Sequence, residues 1–184
     1  MIAIRRGPGP LLARRAATVV AALLLVAAPP PAPAQQPGGS PCAGPEHRQF
    51  DFWLGEWEVR TEDGQLAGTN RITEEFGGCV LRERWSGAGG GRGESLNAYD
   101  AATGRWHQTW VDGRGRLLLL DGGLDTLGRM VLRGEGTGPD GAAVVNEISW
   151  EPRDDGTVVQ TWSVSRDAGV SWRVLFKGIY ARAS

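Results

Sequence analysis

From residue 56 onward the chain alternates between apolar and polar residues in short runs, which are separated by turn sequences. Alternation with a period of two is typical of β-strands, whose successive side chains point to opposite faces of a sheet. Asp-Gly pairs and glycine-rich stretches interrupt the runs about every 8–12 residues, a spacing typical of hairpins. The pattern predicts about ten strands, over residues 56–62, 66–75, 79–86, 94–100, 105–111, 116–121, 129–135, 142–150, 157–164 and 172–182.

Short strands without crossover helices predict an antiparallel up-and-down meander. Closing the meander into a barrel removes the exposed edges that a flat sheet of this length would leave. We therefore expect an all-β fold, with a single antiparallel barrel over residues 46–184. A short helical segment at residues 47–54 is expected to plug one end of that barrel.

One face of the predicted strands collects most of the aromatic side chains, whereas the other is rich in charged residues and includes His107. We take the aromatic face as the interior. Its predicted members are Trp57, Val59, Leu81, Glu83, Trp85, Asn97, Tyr99, Trp106, Gln108, Trp110, Asn146, Ile148, Trp150, Val158, Gln160, Trp162, Trp172, Val174, Phe176 and Tyr180.

Several aromatic-rich strands carry one amide or acid in the middle of this inward face. They are Glu83, Asn97, Gln108, Asn146 and Gln160. An unpaired buried polar group costs about 1–3 kcal/mol, so each of these side chains needs a partner. They could satisfy one another in a polar core with buried water. Alternatively, they converge on a cavity and orient a ligand between aromatic walls.

The cavity hypothesis predicts a small ligand that is partly apolar and partly hydrogen-bonding. Trp85, Tyr99, Trp110 and Trp162 would form its walls, and the inward acid and amides would orient it. Glu83 is also the one candidate for a general acid or base. Glu74 would be a second inward carboxylate if its strand keeps the same phase, and a periplasmic isomerase or hydrolase that uses an inward Glu is an alternative. Because no Ser-His-Asp set accompanies Glu83, we expect binding rather than catalysis. An interaction module with an inert polar core is a further alternative.

Residues 165–172 fit the Asp-box pattern S-x-D-x-G-x-x-W, which is a hairpin device. Asp167 can accept hydrogen bonds from backbone groups of the loop, Gly169 relieves strain, and Trp172 covers the turn. The motif therefore predicts a structural turn and not a catalytic site.

The first 34 residues have the features of an export signal. Arg5, Arg6, Arg14 and Arg15 precede or flank an apolar run at residues 16–28, and a small-x-small cleavage pattern ends at Ala34. The run is shorter than the roughly 18–20 residues that a spanning helix needs, so we expect no stable membrane insertion. The sequence thus predicts a signal peptide (1–34), a Pro- and Gly-rich linker (35–45) and a secreted or periplasmic barrel.

The net charge bears on possible partners, and the cysteines and histidines bear on a disulfide or a metal site. Removal of the four leader arginines leaves 16 basic against 21 acidic residues, a net charge of −5, which argues against nucleic acid as a partner. Cys42 and Cys79 could form a disulfide in an oxidising compartment, or remain as two buried thiols. His47 and His107 lack ligand spacing with either cysteine, so no metal or other cofactor is expected. The sequence fits a monomer or a homodimer.

Residues 50–59, F-D-F-W-L-G-E-W-E-V, resemble the opening of the calycin-like barrels, whose first strand begins with Gly-x-Trp. Here that motif is Gly55-Glu56-Trp57, and Gly55 is expected to turn the chain into the first strand. Further segments resemble a bacterial secreted family of unknown function. They are residues 77–79, 94–97, 104–112 and 176–180.

The resemblance implies a barrel related in architecture to lipocalins, fatty-acid-binding proteins and nitrobindins. In lipocalins a basic residue from a late strand covers the Gly-x-Trp tryptophan, which implies that Arg173 or Arg182 covers Trp57. Nitrobindins bind haem iron through a late-strand histidine. No histidine follows His107 in this chain, so the sequence departs from that pattern, although a haem-binding barrel is retained as an alternative.

Overall fold

The computed structural model describes residues 41–183. The predicted signal peptide and the predicted linker up to residue 40 lie outside the described residues. Two short 3₁₀ helices, Pro45–Arg48 and Asp51–Trp53, precede the strands. The strands are β1 Gly55–Arg60, β2 Leu66–Glu75, β3 Val80–Gly87, β4 Arg92–Asp100, β5 Arg105–Asp112, β6 Leu117–Leu124, β7 Met130–Thr137, β8 Ala143–Pro152, β9 Val158–Ser165 and β10 Arg173–Arg182.

The ten strands form a closed antiparallel up-and-down barrel in which each strand pairs with its neighbours in sequence. Pairing of β1 with β10, in the register Trp57 to Arg182, closes the sheet. The predicted fold class is therefore confirmed, and every predicted strand end lies within three residues of the observed one. Alternation and turn chemistry were sufficient to place the strands because most of them alternate between a buried and an exposed face; β9, in which consecutive residues are buried, is an exception.

The two 3₁₀ helices plug one end of the barrel with aromatic side chains. Phe50 and Trp53 are both fully buried, and their rings stack with centroids 4.9 Å apart. Phe50 also packs edge-on against Trp106 and Trp150, at centroid distances of 5.6 and 5.1 Å. Such aromatic pairs add to the stabilisation that burial of their apolar area provides. We call this the plugged end.

A disulfide holds the plug in place. Cys42, ahead of the first 3₁₀ helix, is bonded to Cys79, which immediately precedes β3. The disulfide alternative of the sequence analysis is confirmed. It is compatible with a periplasmic or extracellular protein, since disulfides persist in oxidising compartments.

Arg182, near the end of the last strand, covers the tryptophan of the Gly-x-Trp motif. Its guanidinium carbon lies 4.0 Å from the centroid of the Trp57 ring. Its Nη1 donates a hydrogen bond of 2.6 Å to the carbonyl oxygen of Leu54. Gly55 has φ +130°, and a Cβ there would overlap the guanidinium group. Of the two arginines that the resemblance implies, Arg182 is the one that covers Trp57. Its hydrogen bond to Leu54 also connects β10 to the segment that follows the plug.

The β9–β10 connection has the geometry of the Asp-box turn. Asp167 Oδ1 accepts hydrogen bonds from the Ser165 hydroxyl and the Ser171 backbone N–H, at 2.7 and 2.8 Å. Hydrogen bonds from Ser171, from its hydroxyl above all, lower the pKa of Asp167 to about 2. Trp172 Nε1 donates to the carbonyl oxygen of Gly169 at 3.1 Å, which closes the loop.

The assignment of Trp172 and Val174 to the interior was wrong. Trp172 precedes β10 and its ring lies 5.4 Å from the guanidinium of Arg133. Val174 is 55% exposed. The cause is a register shift between Val174 and Phe176, because an extra residue in one strand reverses the alternation on either side of it.

Within residues 41–183 no helix is long and apolar enough to cross a membrane.

Candidate functional site

A set of buried polar side chains crosses the interior of the barrel, and we call it the polar belt. Its members are Asn70, Glu83, Ser95, Asn97, Gln108, Gln160 and Tyr180. They come from β2, β3, β4, β5, β9 and β10. The belt therefore links non-adjacent strands through side chains, in addition to the backbone ladder.

One half of the polar belt is a row of hydrogen bonds from Gln108 on β5 to Glu83 on β3. Gln108 Nε2 donates to Asn97 Oδ1 at 2.8 Å, and Asn97 Nδ2 donates to Ser95 Oγ at 2.9 Å. Ser95 Oγ then donates to Glu83 Oε2 at 2.6 Å. Each donor faces an acceptor, so this half is a directed chain of hydrogen bonds that ends on the carboxyl group.

The other half reaches Glu83 from β2 and β10. Asn70 Nδ2 donates to Glu83 Oε1 at 2.7 Å and lies 3.3 Å from the Tyr180 hydroxyl. That hydroxyl donates to Gln160 Oε1 at 2.6 Å. Asn70 Oδ1 is buried and has no hydrogen-bond partner. The belt is thus nearly self-satisfied, with one unpaired acceptor beside the carboxyl group.

Burial controls the titration of the two acidic groups in the belt. Desolvation raises the pKa of Glu83 to about 7 and outweighs the hydrogen bonds from Ser95 and Asn70, which lower it. Burial, and then the nearby Glu83 charge, raise the pKa of Tyr180 well above its ordinary value. Near neutral pH, Glu83 is therefore close to half ionised while the tyrosine keeps its proton.

At the end opposite the plug, which we call the open end, inward aromatic rings remain only half-buried. These are Trp85, Trp110, Trp162 and Phe176, and we call them the aromatic cup. Trp162 pairs directly with Phe176 across β9 and β10. The Phe176 ring in turn meets the Trp85 ring edge-on, at a centroid distance of 6.3 Å.

Glycines let these rings lie flat against the barrel wall. A Cβ at Gly93 would overlap the Trp110 ring, and one at Gly178 would come within 2.8 Å of the Phe176 ring. The rings therefore occupy the space that side chains at Gly93 on β4 and at Gly178 on β10 would otherwise take. The Phe176 and Trp85 rings nevertheless meet across the lumen, since β1 and β2 lie between their strands.

The polar belt forms the floor of the cup. Glu83 is one inward position deeper than Trp85 on β3, and Ser95 is the direct cross-strand partner of Trp110. Asn146 lies beside the cup, where its Oδ1 accepts a hydrogen bond of 3.0 Å from Trp162 Nε1. A molecule that entered the open end would meet aromatic faces first and the acid below them.

The structure brings most of the predicted ligand-binding residues together, but in two layers. Glu83, Asn97, Gln108 and Gln160 lie in the belt, and Trp85, Trp110, Trp162 and Asn146 lie at the open end. Tyr99 is separate from both. It lies at the plugged end, where its ring contacts that of His47 edge-on at 5.2 Å.

Sequence reasoning missed three members of the belt: Asn70, Ser95 and the hydroxyl group of Tyr180. Asn70 and Ser95 share the inward phase of their strands, so alternation alone could have found them. Tyr180 was placed inward as an aromatic residue, but its hydrogen bonds depend on which strands face each other across the lumen. Sequence spacing does not give that information.

The outer wall carries two shallow clefts. One, of ≈ 550 Å³, is lined by His107, Asp121 and Arg133 among others, and the second, of ≈ 350 Å³, by Leu96 and Val111 among others. His107 lies on the outer face as expected, with Nδ1 2.9 Å from Asp121 Oδ1. Among residues 41–183, no group of three or more His, Cys, Asp or Glu side chains is placed to hold a metal ion.

Comparisons with known proteins supply no further assignment. No protein-family model matches the chain, and no curated protein matches its sequence. The antiparallel ten-strand barrel is consistent with a calycin-like fold. Function must therefore be argued from the site itself.

Proposed function

We propose that this protein binds a small molecule, partly apolar and partly hydrogen-bonding, in the aromatic cup above the polar belt. The observation that carries the proposal is the placement of half-buried tryptophan rings flat against glycine at one end of a barrel whose other end is plugged. Small-molecule sites combine such apolar walls with a few polar groups.

The energetics favour an occupant of this kind. Aromatic surface that is left partly exposed gains about 2.5 kcal/mol for each ~100 Å² that a ligand removes from water. The buried acid and amides below would fix the orientation of the ligand, since they are held in place by their own hydrogen bonds.

We further propose that the chain is exported and belongs with the calycin-like barrels, in the bacterial secreted family of unknown function that its sequence resembles. The Cys42–Cys79 disulfide supports a periplasmic or extracellular location. The arginine-rich leader and its apolar run support export. The Arg182–Trp57 contact supports the relationship to lipocalins.

An acid–base enzyme is a weaker alternative. A pKa near 7 suits Glu83 to proton transfer at neutral pH. However, it is the only carboxylate among the buried residues that the structure describes, so no partner for a two-carboxylate mechanism is present there. Of the two described histidines, His47 packs at the plugged end and His107 lies on the outer wall, so neither is placed to bind haem iron at the cup.

A matched pair of glycine variants tests the proposal. Gly93→Ala puts a methyl group against the Trp110 ring and forces it away from the wall, whereas the same change at Gly123 of β6 meets nothing within 4 Å. Titration with the neutral fluorescent probe N-phenyl-1-naphthylamine is expected to show binding to the wild type and to Gly123→Ala. Gly93→Ala should bind about tenfold more weakly, which corresponds to about 1.4 kcal/mol.

Circular dichroism should show the same fold for all three proteins. Failure of the wild type to bind the probe, or equal binding by both variants, would remove the support for a ligand site in the cup.

A further inference from the structure

We propose that the cup is selective for a small organic cation, an alkyl- or arylammonium ion whose N–H groups donate to Glu83 and Asn70 beneath the aromatic rings. This inference rests on the proposed function and specifies the chemistry of its ligand.

Glu83, which is 4% exposed at the base of the cup, keeps unused capacity to accept hydrogen bonds. Each Glu83 oxygen accepts one hydrogen bond, from Asn70 or from Ser95, and each retains capacity for another. Glu83 is the only charged side chain among the buried residues that the structure describes. A charged ligand beside Glu83 is therefore stabilised only if its charge is positive.

An unpaired acceptor beside the carboxyl group points to the same chemistry. Asn70 is 2% exposed, and its Oδ1 has no hydrogen-bond partner, while its Nδ2 is already engaged by Glu83 and Tyr180. Buried amide oxygens are nearly always satisfied, so either a water molecule or an N–H or O–H group of a ligand would donate to this oxygen. An ammonium group carries up to three N–H donors, so it could donate both to the Glu83 carboxylate and to Asn70 Oδ1.

The aromatic walls reinforce this selectivity. A cation is attracted to the negative face of an aromatic ring, most strongly to that of tryptophan, and three of the four cup rings are indoles. A carboxylate ligand would meet these faces and the Glu83 charge with the wrong sign. A neutral ligand would gain the apolar contact and its hydrogen bonds, but neither the attraction of a cation to the ring faces nor that to the Glu83 charge.

The groups that face Glu83 from neighbouring strands leave its charge uncompensated. Asn70 from β2 and Ser95 from β4 are neutral, and Tyr180 from β10 keeps its proton because its pKa is raised. No described arginine or lysine is buried with them. The charge of the site therefore follows the ionisation of Glu83.

Three probes of similar size and different charge test the inference by calorimetric titration at pH 8. They are 2-phenylethylamine, 2-phenylethanol and 3-phenylpropionate. The amine is expected to bind at least tenfold more tightly than the alcohol, and the carboxylate least tightly. Glu83→Gln should abolish the preference for the amine, whereas Glu94→Gln, which removes an exposed carboxylate from β4, should preserve it.

The wild type supplies a second readout that does not depend on the variant folding. Since the pKa of Glu83 is about 7, amine affinity should fall about tenfold from pH 8 to pH 6, while alcohol affinity stays constant. Equal binding of amine and alcohol, or an amine preference that survives Glu83→Gln, overturns the cation assignment alone. Absence of binding by all three probes and by N-phenyl-1-naphthylamine overturns the proposed function itself.

Discussion

Replacing Glu83 by glutamine is expected to change how the stability of the barrel depends on pH. Glutamine keeps the shape of the side chain and can still accept from Asn70, but it cannot ionise. The wild-type carboxyl has a pKa that rises from 4.5 to about 7 on folding, because burial penalises its charged form. The folded protein therefore retains a proton at pH values at which the unfolded chain has released it.

The sign and size of the effect follow from linkage. A raised folded-state pKa in an acid lowers stability as pH rises from about 4.5 to about 7, with no further change above that range. Between pH 5 and pH 8, this single group should reduce the free energy of unfolding by about 2.5 kcal/mol. Any pH-independent cost of the substitution cancels when the two pH values are compared.

Urea denaturation followed by tryptophan fluorescence measures this quantity. Glu83→Gln should gain about 2.5 kcal/mol relative to the wild type on going from pH 5 to pH 8. Glu94→Gln, on the outer face of β4 and paired with Arg82, controls for the loss of one carboxylate. If Glu83→Gln and the wild type change in parallel across this range, Glu83 is not a buried acid with a raised pKa.

Three other predictions concern the framework around the site. Replacing both Cys42 and Cys79 by serine should lower the free energy of unfolding by about 4 kcal/mol, because the bond closes a long loop in the unfolded chain, and reductant should then have no further effect on urea denaturation. Arg182→Met should lower the free energy of unfolding by about 1–2 kcal/mol in the same assay, because it removes the contact with the Trp57 ring and the hydrogen bond to the Leu54 carbonyl. An equal loss of stability in Arg173→Met would contradict that reason. Asp167→Asn should approach the wild type in stability near pH 2 and fall progressively below it between about pH 2 and pH 4, because the pKa of Asp167 is lowered from 3.8 to about 2 on folding. A difference that stays constant over this range would argue against a role for its charge.

Local pattern predicted the strands well because most of them carry a period-two alternation bounded by turns. It failed where the backbone departs from regular pairing, as at the bulge that exposes Val174. It was also uninformative in β6, where the run of leucines from residue 117 to 120 hides the alternation, although Leu120 is fully buried and Leu119 is 46% exposed.

The site was harder to predict than the fold, since inward direction does not reveal depth along the barrel. Tyr99 and Trp85 both belong to the inward face, yet Tyr99 lies at the plugged end and Trp85 at the open end. The stagger between neighbouring strands decides which inward residues share a level, and it depends on closure of the whole sheet. For the same reason, the contact of Tyr180 with Asn70 was not visible in the sequence.

Indole N–H resonances give the most direct test of the claim that the open end holds a ligand, because the eight tryptophans are spread over both ends. Two-dimensional ¹⁵N–¹H spectra would be recorded during titration with 2-phenylethylamine and, separately, with 2-phenylethanol. The account predicts that the indole resonances of Trp85, Trp110 and Trp162 shift in a saturable manner, while those of Trp53 and Trp150 at the plugged end do not. Saturable shifts confined to the plug or to the outer wall, or no shift with either probe, would contradict it.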